Sequence, residues 1–242
     1  MILLLSGIYV GKRTFKKGGP KQNAQDATIL ASVFGLFAFL LAFTFSMSGN
    51  RFEQNRLNAV HEANSIGTAL LRTDLYTTEE RNAFRQDFKN YTQARIDCYY
   101  GRSDQAVVDS AEHRANRFAE LIWKRAADNA RNSSTLFPAI FMIPALNEMF
   151  DSASVSDISE KFRVPEPIVI MVFILCLVCT FFVGYYASYG GKYDTLIVIG
   201  FCVLSALVIY ITLDLDRPRS GIIRQSTSNQ TILELQKQFE RP

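Results

Sequence analysis

The sequence predicts an all-α membrane protein, with three complete transmembrane helices, a partial N-terminal one, and long helices that extend into a polar helical domain. Three observations carry this reading. Three long stretches contain no charged residue, while the segments between them are heavily charged. Lipid and water impose that sorting. Within the polar segment 48–163, apolar residues recur at helical spacing and not in alternation. No run reads as a β-strand. The apolar fraction of 48% is also that of a soluble domain, so distribution and not composition decides.

Residues 1–10, MILLLSGIYV, are apolar but too short to span. A basic linker, 11–26, follows with Lys12, Arg13, Lys16, Lys17 and Lys21. A secretory leader places its basic region before its apolar one, so this segment reads as the back half of a span that starts too late. The alternative is an interfacial N-terminal segment. Residues 27–47 form the first complete span, since about twenty residues at 1.5 Å rise cover a core of about 30 Å. Ala31, Gly35, Ala38, Ala42 and Ser46 share one face of it. Small residues there permit close helix approach in lipid. Phe34, Phe37, Phe39, Phe43 and Phe45 are distributed over the rest.

The polar domain, 48–163, is expected to begin as a continuation of that helix into water, with Leu57, Val60, Ile66, Ala69 and Leu70 near helical spacing. Thr77 with Glu80 offers a capping box for the next helix, which carries Phe84, Phe88 and Tyr91 on one face. Ser103 opens a third, carrying Val107, Val108, Ala111, Phe118, Leu121, Ile122 and Trp123. Asn132-Ser133-Ser134 reads as a turn. Pro138 and Pro144 predict an interfacial turn and then a helix from about Pro144. Pro165 and Pro167 suit the start of the span 168–187, and Tyr185, Tyr186 and Tyr189 close it as an aromatic belt. Gly190-Gly191 breaks it from the span 195–213, making a helical hairpin. A polar tail, 214–242, ends the chain.

Function classes fall away in turn. A net charge of +3 without a Lys/Arg stripe beside aromatics argues against nucleic acid. Cys176 and Cys179 have redox or zinc spacing, but their surroundings, MVFILCLVCTFF, are hydrocarbon, so they read as packing residues along with Cys202. Cys98 is the one polar-domain thiol. His61-Glu62 lacks the second histidine of a zinc motif, and Gly18-Gly19-Pro20 is a breaker, not a phosphate loop. The sequons at Asn90, Asn132 and Asn229 matter only in a glycosylating pathway. No catalytic set, metal site or cofactor is predicted.

Polar residues near the span ends remain. Asn50, Glu62 and Asn64 follow the first span, and Asn147, Glu148 and Asp151 precede the second. Asp214, Asp216 and Arg217 leave the third. Such groups ringed at a pore mouth attract and partly dehydrate ions. A solvated rim of ordinary salt bridges is the competing reading. The spans hold no Asp, Glu, Lys, Arg or His. That disfavours a proton-coupled pump and leaves a passive, apolar-lined pore.

The blocks FTFSMSGNRFEQNRLNAVHEANSIGTALLRTDL, PALNEMFDS and ITLDLDRPRSGIIRQS resemble, in order, the bestrophin-like domain family of bacterial membrane proteins. The resemblance covers about residues 25 to 235. It implies an oligomeric helical protein of the bacterial cell membrane, of four to six copies, with a complete first span in most members. Through the bestrophins it hints at ion conduction. No counterpart of the bestrophin neck or of its acidic calcium clasp is found. Two functions stay open: an oligomeric ion channel, or a non-conducting sensor or scaffold whose polar helices bind a partner. The positive-inside rule puts the basic linker in the cytoplasm and hence residues 48–163 outside. The bestrophin analogy implies the reverse.

Overall fold

The computed structural model describes residues 2–16, 24–101, 104–132, 135–188, 195–216, 232–236 and 239. The described residues form helices and no strand: α1 (Ile2–Lys16), α2 (Ala24–Leu71), a 3₁₀ turn (Arg72–Leu75), α3 (Thr78–Tyr100), α4 (Gln105–Arg131), α5 (Leu136–Lys161), α6 (Glu166–Ala187) and α7 (Thr195–Leu215). A helical segment at 232–236 follows. The chain divides into two compact units. One holds residues 1–50 and 163–216, the other 51–162 and 217–242.

The first unit contains the apolar helices. Three helices of the chain are long and apolar enough to cross a bilayer, so the protein is an integral membrane protein. Phe37, Val172, Cys179 and Ile209 form a small core joining α2, α6 and α7. Cys179 is fully buried there, and all four cysteines are free thiols. Most large apolar side chains of these helices instead face outward, among them Phe39, Leu177 and Leu204 at 67%, 50% and 63% exposure. Lipid supplies their solvent.

The N-terminal segment is a helix of 15 residues, longer than the ten-residue apolar run. It takes in Lys12 and Arg13 from the expected linker, and it packs on α6. Three glycines make that contact. A Cβ at Gly7 would collide with the Phe181 carbonyl, one at Gly11 with the Ser188 side chain, and one at Gly184 with the Leu4 carbonyl. Phe15 packs on Tyr185 with ring centroids 5.3 Å apart and planes tilted by 48°. Lys17, Lys21 and Gly18-Gly19-Pro20 lie outside the described residues, as do Tyr189, Gly190-Gly191 and Asn229.

The second unit is a helical bundle. Its core gathers Ile66, Leu70, Phe84, Phe88, Tyr91, Ile122, Met142, Leu146 and Met149. Ile232 and Leu235, at 1% and 5% exposure, complete it. The expected polar tail therefore contributes apolar residues to the core. α2 continues past the first span without a break to Leu71, as its periodicity predicts. Ile66, Ala69 and Leu70 are buried, but Leu57 is 48% exposed. In α4, likewise, Val108, Ala111 and Ile122 are buried while Val107, Leu121 and Trp123 face outward.

Three local expectations are corrected. Thr77 is the N-cap of α3, but its side chain makes no cap hydrogen bond. Its carbonyl accepts only the ordinary first helical bond, from Arg81 N–H at 2.8 Å. α4 starts at Gln105, not Ser103, because the Asp104 carboxylate accepts from the amides of Ala106 and Val107. A carboxylate at that position also suits the positive end of the helix. α5 starts at Leu136, ahead of both prolines. Pro138 falls in the first turn, where an amide has no helical partner to lose. Pro144 lies inside the helix and deprives the Ile140 carbonyl of its bond.

Candidate functional site

α2 has two opposed faces. In the first unit one face is buried: Phe37, Thr44 and Ser48 are at most 4% exposed. Helical spacing places Ala31, Gly35, Ala38, Ala42 and Ser46 on the other side, and all five are exposed. A Cβ added at Gly35 or Gly49 would meet nothing within 4 Å. These five residues share an exposed side of the helix among the described residues. Asn50 continues it and is exposed. Asp216 accepts a hydrogen bond from Val164 N–H at 3.0 Å, which pins the entrance of α6 to the end of α7. Asp214 is half-buried. Arg217 lies outside the described residues.

In the second unit the exposed side of α2 carries Asn64, His61 and Thr68. They line a cleft of about 310 Å³ with Ser65, Arg72, Pro144, Ala145 and Glu148. His61 Nε2 stands 3.4 Å from Glu148 Oε1, each side chain 61% exposed. Solvent screening leaves such a pair worth little as a fastener. At the other end Arg72 donates to the Phe141 carbonyl. Asn147 and Asp151 are exposed on the same helix as Glu148. The structure therefore brings Glu148 together with α2 and leaves Asn147 and Asp151 in solvent beside it.

Glu62 is different. It is fully buried, and it belongs to an ion-pair network that sequence reading missed. Arg95 of α3 holds it with two bonds, Nε to Oε1 at 2.5 Å and Nη2 to Oε2 at 2.9 Å. The same guanidinium makes two 3.0 Å bonds to Asp157 of α5. Tyr99 donates its hydroxyl to Glu62 Oε2 at 2.7 Å. Burial opposes the charge on Arg95, but the Glu62 carboxylate outweighs it and holds the guanidinium well above its ordinary pKa. Burial, followed by the Glu62 charge, pushes the Tyr99 phenol up as well. One arginine thus clamps three helices. The only signal for it in the sequence is charge at core spacing, Arg95 among Tyr91, Ala94, Ile96 and Cys98.

In the second unit, large apolar side chains also face outward. Leu71, Leu75, Leu136, Phe137, Ile140 and Phe141 are 43–67% exposed around the end of α2 and the start of α5. A patch of this kind marks an interaction surface in a soluble domain.

A family model described as the Bestrophin-like domain matches residues 1–229. No curated protein matches. Among solved structures, a single-substitution variant of a bacterial bestrophin homolog from Klebsiella pneumoniae aligns with a TM-score of 0.73 at 12% identity, covering 99% of this chain and 96% of that one. A second variant gives 0.74 at 10% identity, covering 100% and 98%. The homolog phased from zinc gives 0.69 at 12%, covering 98% of each. At these identities the likeness is one of fold.

Proposed function

Because the chain belongs to the Bestrophin-like domain family, we propose that it assembles with copies of itself, four to six in number, into a passive ion channel of the bacterial cell membrane. The observation that carries this is the outward face of α2. It is uncharged from Ala31 to Ser46, carries small side chains, and is exposed among the described residues. Without a hydrophobic drive between helices in lipid, such a face is stabilised by close backbone approach to another helix. Repeated round an axis, it brings the α2 helices of neighbouring copies together. Asn50 and, in the second unit, Asn64, Asn147, Glu148 and Asp151 are the groups proposed to meet ions at the mouth of such a pore. Amide and carboxylate groups there exchange part of an ion's hydration shell. The Arg95 clamp holds α2 on the opposite side, through Glu62.

A second reading has its own support. The exposed apolar patch around Phe137 and Ile140 suits a protein partner, as in an anchored scaffold that does not conduct.

One pair of measurements separates them. Native mass spectrometry of the nanodisc-embedded protein gives the copy number, and ion flux from proteoliposomes gives the conductance. A closed ring with flux above empty vesicles supports the channel. A monomer removes it, and an intact ring without flux leaves the scaffold.

A further inference from the structure

Within the first unit, the end of α2, the start of α6 and the end of α7 enclose a small pocket. Thr44, Ser48, Thr212 and Asp216 form its polar wall, and Val172 and Ile209 part of its apolar wall. It has room for about 20 Å³, one water-sized occupant. Thr44, Ser48 and Thr212 are 3%, 0% and 4% exposed.

The protons on this wall can be accounted for. Thr44 Oγ1 donates to the Leu40 carbonyl and Thr212 Oγ1 to the Val208 carbonyl, both at 2.7 Å. Each proton is used back along its own helix, so both hydroxyls have only lone pairs left to offer. Asp216 accepts from the Val164 amide and, when ionised, has further acceptor capacity and no proton. Among the described residues, the buried Ser48 hydroxyl has no hydrogen-bond partner. No Lys, Arg or His is among the described residues lining the pocket. Among the described residues, three acceptor groups, one of them the Asp216 carboxylate, therefore meet in a space whose one uncommitted side-chain proton is that of Ser48.

An occupant must bring positive charge or donors. We infer that the pocket binds a single sodium ion, held by Ser48, Thr44, Thr212 and Asp216, which ties α2, α6 and α7 together. An all-oxygen donor set selects a hard cation. One carboxylate matches a single charge, and calcium takes six to eight oxygens, more than this wall supplies. The inference does not rest on the channel reading, because its test reads stability and not flux.

The test is thermal unfolding of the full chain in detergent, in sodium chloride against choline chloride at equal concentration. At a sodium level ten times the dissociation constant, binding multiplies the folded-to-unfolded ratio about elevenfold. For a chain of this length that raises Tm by about 3–6 °C. Asp216→Asn and Ser48→Ala are expected to remove the sodium increment. Should Asp216→Asn fail to fold, Thr212→Val keeps the side-chain shape and removes one ligand, and it is expected to reduce the increment. Equal Tm in sodium and choline overturns the inference and leaves a water in the pocket. A sodium increment that survives Ser48→Ala together with Asp216→Asn, or Ser48→Ala together with Thr212→Val, also overturns it, by placing the ion elsewhere.

Discussion

Arg95 is the residue on which the second unit most depends. It is 3% exposed and satisfies two carboxylates from two other helices. Such a network is not necessarily worth more than a well-packed apolar core. Removing its one cation is another matter, because Glu62 would then be buried with an uncompensated charge. Arg95→Ala is expected to cost about 3–5 kcal/mol, measured as a loss of thermal or denaturant stability with the helices otherwise intact by circular dichroism. Arg95→Lys is expected to recover only part of that loss, since an ammonium cannot bond both carboxylates in pairs. A stability for Arg95→Ala equal to wild type would show the cluster to be dispensable. At the solvent face, Glu148 and Asp151 make a different prediction. Replacing both by Ala should leave stability nearly unchanged, because both are exposed, and should alter ion selectivity or conductance in liposomes. Unchanged currents would remove them from the pore mouth.

At the scale of helices, the sequence was legible wherever hydrophobicity had one period. The three spans and the run of α2 into the polar domain could be read from uncharged length and from spacing alone. The start of α5 could not. Proline reads as a breaker in a sequence, but its effect depends on its distance from the helix start, and Pro138 falls in the first turn. The docking of α1 could have been read. Gly7 and Gly11 are four apart, the spacing that lets two membrane helices touch, and Gly184 is their counterpart on α6. The Arg95 clamp was illegible, because no local rule pairs residues on three separate helices. Two tests follow for these elements. Gly7→Leu should undock α1, since the Phe181 carbonyl lies where its Cβ must go. Faster tryptic cleavage at Lys12 or Arg13 would report it, and an unchanged rate would contradict the packing. Ala38→Leu with Ala42→Leu should lower the copy number seen by native mass spectrometry while leaving the monomer folded. Retention of the full ring would show that this face is not the one that joins copies.

At the scale of the whole molecule, sidedness is a prediction: by the positive-inside rule, Lys12, Arg13, Lys16, Lys17 and Lys21 are expected in the cytoplasm and the second unit outside. The natural thiols do not interfere with a direct check. Cys98 and Cys179 are at most 1% exposed, and Cys176 and Cys202 lie within the membrane helices. Asp151→Cys is therefore expected to react with a membrane-impermeant maleimide on intact cells. Reaction only after permeabilisation would place the second unit in the cytoplasm, the arrangement implied by bestrophins.

The segment at 232–236 shares a core with residues 51–162, Ile232 and Leu235 lying against it. Both parts must therefore reside on the same side of the bilayer, so the chain between them crosses an even number of times, as α6 and α7 together do. That parity ties completion of this core to both crossings. α3, α4 and α5 precede the two crossings in the chain, and Ile232 and Leu235 follow them. A chain in which only one of the two helices entered the membrane would strand Ile232 and Leu235 on the far side and leave the core open.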